Sequence, residues 1–242
     1  MPADAICGYV LQPASKKPFI VSFSGIDGAG KSTQIENLVL YMNSVGMRVR
    51  LVTFWDDVAT LRNARELAGH TLFGGERGVG TPEKPVRRRD KDVRSWYMLP
   101  VRMMLCLFDA MGLATVIGKI KRKPDSDVVV FDRYIYDQTA NLEMSNPIAR
   151  IYARMLLWFV PRPNIAYLLD ADPALARARK PEYPLEFLRC NRDSYLAISR
   201  IAAMNVIPKG TPDEVRSNIL SVLLKNVSSK QYPCLSEALT NR

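Results

Sequence analysis

The sequence predicts an α/β fold in which one sheet of about five parallel strands lies between two layers of helices. Short apolar runs alternate about five times with segments of helical periodicity, the order that parallel strands and their crossover helices require. These runs are apolar throughout, as in strands that are buried on both faces. The chain has 242 residues with 48% hydrophobic and 24% charged residues, which excludes a wholly disordered protein.

The elements follow one another in a regular order along the chain. The predicted strands are the apolar runs at 19–24, 48–54, 127–132, 165–170 and 205–208. Two predicted helices begin at Lys31 and Pro173. Five more cover 58–69, 94–120, 146–160, 187–203 and 212–225. Glycine and proline predict a loop at 70–92, which also holds the basic run Arg87-Arg88-Arg89. We therefore expect one domain at 19–227, an N-terminal extension at 1–18 and a C-terminal tail at 228–242.

Composition narrows the possible partners and chemistry. The 34 lysines and arginines exceed the 24 acidic residues, and the net charge of +10 favours an anionic partner. The four cysteines are far apart and the only histidine is His70, so the sequence indicates neither a zinc site nor a His-based catalytic triad. Isolated thiols suit a reducing compartment, so we expect a cytoplasmic protein.

The apolar stretch from Trp96 to Gly118 is the one segment that resembles a membrane span. Pro100, Arg102 and Asp109 interrupt it, and charged side chains at the middle of a bilayer are costly. We therefore predict a buried core helix here and expect no membrane partner.

A phosphate-binding motif stands between the first predicted strand and the first predicted helix. Residues 25–32 read GIDGAGKS, which matches the P-loop pattern GxxxxGK[ST] in its expected strand–loop–helix context. Glycines let backbone N–H groups converge on phosphates, and the following helix directs its positive dipole end at the same anions. Lys31 would reach the β- and γ-phosphates, and the Ser32 hydroxyl would ligate Mg²⁺.

Four segments resemble the thymidylate kinase family, in the same order along the chain. They are FSGIDGAGKSTQ at 23–34, Asp132-Arg133-Tyr134 after an apolar strand, YLLDADPALARARK at 167–180 and VIPKGTPDEV at 206–215. The resemblance implies a P-loop nucleotide kinase with ATP and Mg²⁺ that phosphorylates a nucleoside monophosphate, dTMP, in nucleotide biosynthesis. It also implies a homodimer packed through apolar helices such as 94–120, and a small-molecule nucleotide partner with no nucleic acid.

The resemblance assigns roles on the donor side of the reaction. Residues expected to contact ATP are Gly25, Gly28, Ala29, Gly30, Lys31, Ser32, Thr33, Arg177 and Lys209. Ser32 and Asp132 would hold the metal, and Lys31 and Asp132 would act in catalysis. No basic residue lies between Gly25 and Gly30, so a short lid near 177–190 must stabilise the transferred charge. Arg179 and Arg189 are the favoured lid arginines, with Lys180 and Arg192 as substitutes.

The acceptor side departs from the family pattern. The second strand of thymidylate kinases usually ends with an arginine and glycines, whereas residues 53–58 here read TFWDDV. Arg133 must then hold the acceptor phosphate, with Arg102 as a second cation. Asp27, Phe108, Asp56 and Asp57 complete the predicted acceptor contacts.

Alternatives remain open for several of these residues. Asp56 or Asp57 could be the general base of a kinase that phosphorylates a hydroxyl, such as that of a deoxynucleoside, or the pair could cap the following helix. Asp132 could cap a helix, and Arg133 could form a surface ion pair. A P-loop nucleotide-binding protein with little kinase activity is a further alternative.

Overall fold

The computed structural model describes residues 17–59, 81, 98–142 and 144–227, with Met98 described by its backbone alone. Most of the predicted extension, the predicted helix beyond Ala59, the arginine-rich loop and the tail lie outside these residues. All predicted site residues lie inside them.

Five short strands form a single sheet in which every neighbouring pair is parallel. They are β1 (Phe19–Ser24), β2 (Val49–Thr53), β3 (Val128–Asp132), β4 (Ile165–Leu169) and β5 (Asn205–Ile207), in the spatial order β2-β3-β1-β4-β5. Each predicted strand is confirmed to within one residue at either end. The strand that leads into the P-loop lies at the centre of the sheet.

Seven α-helices and one π-helical turn are found in the described part of the chain. The helices are α1 (Lys31–Ser44), α2 (Met98–Arg122), α3 (Ile135–Ala140), α4 (Pro147–Phe159), α5 (Pro173–Arg179), α6 (Leu185–Ala202) and α7 (Pro212–Asn226). The π-helical turn spans Phe54–Val58 directly after β2. The sequence did not predict α3, because six residues carry too little periodicity.

Successive residues of β1 pack into two different cores. Ile20 packs in a core with buried residues of α2, α3, α4 and α6, whereas Phe19, Val21 and Phe23 pack in a core with α1 and α7. Since both faces of the sheet are covered, its strands can be apolar on both sides. The predicted three-layer sandwich is confirmed.

The long apolar helix α2 is buried along one side only. Its buried row is Cys106, Asp109, Ala110, Leu113, Ile117 and Ile120, and its exposed row is Val101, Met104, Leu107, Phe108 and Met111. By length and composition alone, α2 could cross a bilayer. The buried row packs in the core on one face of the sheet, so the prediction of a core helix is confirmed for that side.

Candidate phosphate-binding and catalytic site

The carboxyl ends of the central strands bring the predicted motifs to one edge of the sheet. Phe23 of β1 lies opposite Asp132 of β3, and Ser24 lies opposite Leu168 of β4. The P-loop therefore leaves the sheet between Asp132-Arg133 and Asp170. This edge is where parallel α/β sheets bind ligands.

Glycine is required in the P-loop for two physical reasons. Gly25, Gly28 and Gly30 all have positive φ angles, of 146°, 86° and 86°. A Cβ atom at Gly28 would overlap the carbonyl oxygen of Ala176 in α5, and one at Gly25 would lie 2.6 Å from the carbonyl oxygen of Leu169. The loop is thus held closely against the end of β4 and the backbone of α5.

Lys31 lies buried beneath this loop, at the first residue of α1. Its Nζ donates hydrogen bonds to the carbonyl oxygens of Gly25 at 2.6 Å and Ile26 at 2.9 Å. Burial, followed by the charge of Arg133, lowers the pKa of Lys31 to about 8. Ser32 and Thr33 are exposed in the same first turn, where the free backbone N–H groups of a helix are found.

An ion pair joins the P-loop to the residue after β3. The Arg133 guanidinium donates to Asp27 in the loop and, at 3.4 Å, to Asp137 in α3. Burial opposes the charge on Arg133, but the two carboxylates outweigh it and raise its pKa well above the ordinary value. Arg133 also has a positive φ of 71°, a strained conformation that these contacts hold in place. The alternative of a surface ion pair is wrong, because the partners are buried.

Asp137 is a functional candidate that sequence reasoning missed. Its buried carboxylate accepts hydrogen bonds from Ser24 Oγ at 2.7 Å, Tyr195 Oη at 2.7 Å and the backbone N–H of Tyr134 at 3.0 Å. Burial and the nearby Asp137 carboxylate raise the pKa of Tyr195 well above its ordinary value. The available signal was an acidic residue three positions after Tyr134, at a capping position of α3.

Asp132 lies half-buried at the end of β3, between strands β1 and β2. It is opposite Phe23 on one side and Thr53 on the other. The alternative in which Asp132 caps a helix is wrong, because the cap residue of α3 is Tyr134. Its charge acts on Lys31, which places it within electrostatic range of the P-loop lysine.

A magnesium ion would find few protein ligands here. Within the described residues, no group of three or more His, Cys, Asp or Glu side chains could hold a metal ion. Mg²⁺ commonly binds through one or two protein oxygens, with water and substrate phosphates completing its shell. The Ser32 hydroxyl and the Asp132 carboxylate fit that kind of site.

The predicted lid segment comprises the end of α5, a turn at 180–184 and the start of α6. Arg177, Arg179 and Arg189 are exposed, and Arg189 lies 3.5 Å from Glu186 of its own helix. The two substitute residues are both paired with carboxylates. Arg192 makes a bidentate contact with Asp170 at 2.6 and 2.7 Å, and Lys180 lies 3.3 Å from the buried Glu182.

Lys209, predicted to contact ATP, lies exposed after β5. Backbone hydrogen bonds from Ala174 and Leu175 chiefly lower the pKa of Asp172, and the charge of Lys209 adds to this effect. Asp172 caps α5 through these bonds. The structure thus brings Lys209 near the start of the helix whose other end carries Arg177 and Arg179.

The acceptor-side aspartates lie in the π-helical turn after β2. Both are exposed, and Asp57 accepts a hydrogen bond from the backbone N–H of Thr53 at 2.8 Å. Asp57 thus caps the π-helical turn itself, whereas the sequence predicted that it caps a helix at 58–69. The geometry therefore favours the capping interpretation of Asp57 over that of a general base.

Arg102 and Phe108 lie on different sides of α2. Arg102 is half-buried and donates to the backbone carbonyl of Asn141 at 3.3 Å, next to the end of α3. Phe108 belongs to the exposed apolar row of α2. Three residues before Asn141 in the chain, the side-chain nitrogen of Gln138 is buried without a hydrogen-bond partner among the described residues.

Similar proteins were found by sequence and by structure, although no family model matches the chain. Thymidylate kinase of Bifidobacterium longum (strain DJO10A) is 28% identical over 163 residues, which cover 66% of this chain and 69% of that protein. A probable thymidylate kinase of Pyrobaculum aerophilum is 30% identical over 112 residues, covering 43% of this chain and 57% of that protein. A probable thymidylate kinase of Methanosphaera stadtmanae is 26% identical over 215 residues, or 84% of this chain and 98% of that protein.

A solved structure extends the similarity to the fold. The crystal structure of thymidylate kinase from Ehrlichia chaffeensis superposes with a TM-score of 0.52 at 18% identity, covering 86% of this chain and 98% of that one. At this identity, the match establishes a shared fold. The bacterial and archaeal sequences confirm the resemblance predicted from the P-loop and the Asp-Arg-Tyr segment: the chain is similar to thymidylate kinases.

Proposed function

We propose that the protein is an ATP-dependent kinase that transfers a phosphoryl group to a nucleoside monophosphate, dTMP. The observation that carries this proposal is the junction between the P-loop and the end of β3, where Asp27 of the loop pairs with Arg133. A nucleotide sensor needs only the loop. A kinase needs a second polar site at a fixed distance from it, and this ion pair supplies the connection.

The donor side binds and neutralises the phosphates of ATP. Backbone N–H groups of the P-loop and the first turn of α1 surround the β- and γ-phosphates, and Lys31 places its buried ammonium on them. Ser32 and Asp132 would hold Mg²⁺, which neutralises phosphate charge when bound. Arg177 and Lys209, which are both exposed, are the proposed contacts for the rest of the nucleotide.

The acceptor side holds a monophosphate in line with the γ-phosphorus. A phosphate oxygen of the acceptor bonds to that phosphorus as the bond to the β–γ bridging oxygen breaks, and ADP leaves with the electron pair. No general base is needed, because the acceptor phosphate is already ionised. Arg133 and Arg102 are the proposed acceptor cations, and the buried amide of Gln138 is a candidate contact for the base.

The lid arginines complete the charge stabilisation. Arg179 and Arg189 are exposed at the ends of two helices that flank the turn at 180–184, so a small movement of this turn would carry them towards the phosphates. Arg192 is held by Asp170 and Lys180 by Glu182, which makes them weaker substitutes.

The exposed apolar row of α2 supports a homodimer, in keeping with the predicted interface. Five large side chains at Val101, Met104, Leu107, Phe108 and Met111 form a row along one face of this helix. A patch of this kind on a folded domain marks an interaction surface. We propose a cytoplasmic homodimer joined through α2, which sedimentation at micromolar concentration would test, with a monomer contradicting it.

A coupled kinase assay over a panel of acceptors tests the proposed reaction. We expect turnover with dTMP well above turnover with other nucleoside monophosphates, deoxynucleosides or ATP alone. The hydroxyl-acceptor alternative is not favoured, because Asp57 is engaged as a cap. Deoxynucleoside turnover that exceeds dTMP turnover, and that collapses in Asp56→Asn or Asp57→Asn, would overturn the proposal.

A further inference from the structure

A cleft on the far side of the molecule from the P-loop has no role in the proposed reaction. It has a volume of about 350 Å³ and is lined by Arg154, Leu157, Trp158, Arg162, Arg200 and Ile201. Its walls come from the end of α4, the residues that follow it, and the end of α6. Since α4 leads into β4 and α6 leads into β5, the cleft lies at the amino ends of the strands, opposite the nucleotide edge.

Within the described part of the chain, the three arginines of the cleft lack the carboxylate partners that three other arginines have. Arg48, Arg133 and Arg192 each form an ion pair with an aspartate. In contrast, Arg154, Arg162 and Arg200 form neither an ion pair nor a hydrogen bond with any residue in the described ranges. Three guanidinium groups around one concave surface repel each other unless an anion lies between them.

The surrounding sequence supplies no competing negative charge. Between Glu143 and Asp170 the chain contains Arg150, Arg154 and Arg162 but no acidic residue. The groups beside the arginines are apolar, namely Leu157, Ile201 and the indole of Trp158, which is 73% exposed. The site therefore combines positive charge with an apolar and aromatic wall.

We propose that this cleft binds a phosphate group attached to an apolar or aromatic moiety. Guanidinium groups bind phosphate oxygens through paired hydrogen bonds, and the flat face of an indole contacts an aromatic ring or an acyl chain. The phosphate could belong to a soluble phosphate ester or to a lipid headgroup, since both present the same chemistry. The site is separate from the P-loop, so occupancy leaves the kinase site accessible.

Binding of phenyl phosphate, measured by calorimetry, tests the soluble ligand. The wild-type protein should bind it, and Arg154→Gln/Arg200→Gln should bind at least about tenfold more weakly, because two charge-assisted contacts are lost. Binding that remains in this double variant comes from Arg162 in the cleft or from the P-loop. Arg216→Gln is the matched control, since Arg216 is an exposed arginine of α7 that does not line the cleft.

Co-sedimentation with vesicles tests the lipid source. Phosphatidylcholine vesicles that contain phosphatidic acid should retain the wild type and the Arg216→Gln variant but release the double variant if a lipid headgroup is the ligand. Kinase turnover at the wild-type level verifies that the double variant is folded. If phenyl phosphate binds the wild type and the double variant equally, and no vesicle binding depends on Arg154 and Arg200, the proposal is wrong.

Discussion

The donor and acceptor halves of the site are held by different kinds of contact. On the donor side, backbone packs against backbone: Gly25 and Gly28 lie so close to Leu169 and Ala176 that no side chain fits between them. On the acceptor side, buried charges hold one another, with Arg133 between Asp27 and Asp137. The first half is specified by a short local motif, whereas the second depends on residues more than a hundred positions apart.

The largest effect is expected on the donor side. Lys31→Ala removes the buried ammonium from the transferring phosphoryl group and should cost about 3 kcal/mol or more in the transition state. The kcat should therefore fall by roughly a hundredfold or more, while circular dichroism shows an intact fold. Wild-type kcat in this variant would contradict the P-loop assignment.

A comparable effect on stability is expected on the acceptor side. Asp137→Asn leaves Arg133 with one carboxylate and weakens the bonds from Ser24 and Tyr195, so we expect a loss of about 3 kcal/mol in the free energy of unfolding. Urea denaturation measures it. Asp57→Asn is the control, since Asp57 is exposed and should change stability by less than about 1 kcal/mol. Equal losses in the two variants would mean that Asp137 is not a buried anchor.

Two P-loop glycines allow backbone packing to be separated from backbone conformation. Gly28 and Gly30 share a φ of 86°, but only Gly28 has a neighbour within reach of a new Cβ atom. Both alanine variants carry the cost of a left-handed backbone, about 1 to 2 kcal/mol, and Gly28→Ala should lose roughly 1 to 3 kcal/mol more through overlap with Ala176. Thermal unfolding without nucleotide measures the difference, which would vanish if the loop did not pack on α5.

The lid should affect turnover with little effect on stability. Arg179→Ala or Arg189→Ala should lower kcat by about tenfold or more and change the KM for ATP less, because the contact forms in the transition state. Both side chains are exposed, so their unfolding free energies should stay within about 0.5 kcal/mol of the wild type. Two variants with wild-type kcat would exclude the lid as the source of the transition-state arginine.

The pH dependence of activity and of stability tests the burial of Lys31 on the donor side. Because the free protein holds the pKa of Lys31 at about 8, kcat/KM for ATP should fall about tenfold for each pH unit above that value. The stability of the nucleotide-free protein should move in the opposite direction. Between pH 8 and the ordinary lysine pKa of 10.5, the unfolded chain binds the extra proton, so stability rises with pH. Lys31→Met should abolish both trends.

Local patterns explain which parts could be predicted from the sequence. The five strands and the P-loop follow from apolar runs and a motif of eight residues, each readable within a short window. The contacts of Asp137 with Ser24 and Tyr195 join residues 113 and 58 positions apart, and no window contains both partners. The pairing of Arg192 with Asp170 and the exposed side of α2 likewise depend on how helices dock on the sheet.

The order of strands in the sheet also constrains how the protein is made. The P-loop leaves the ribosome before the strands that support it, because in the described residues β1 pairs with β3 at Val128–Asp132 and β4 at Ile165–Leu169. At ordinary synthesis rates, the 145 residues between Ser24 and Leu169 take roughly 7 to 30 s to be translated. Until Asp132 is translated, 108 residues after Ser24, the nascent chain carries the apolar run FIVSFS without either neighbouring strand, and until Leu169 is translated it still lacks β4. A ribosome-bound chain that ends before Ile165 therefore has no assembled nucleotide site and is a natural client for a chaperone.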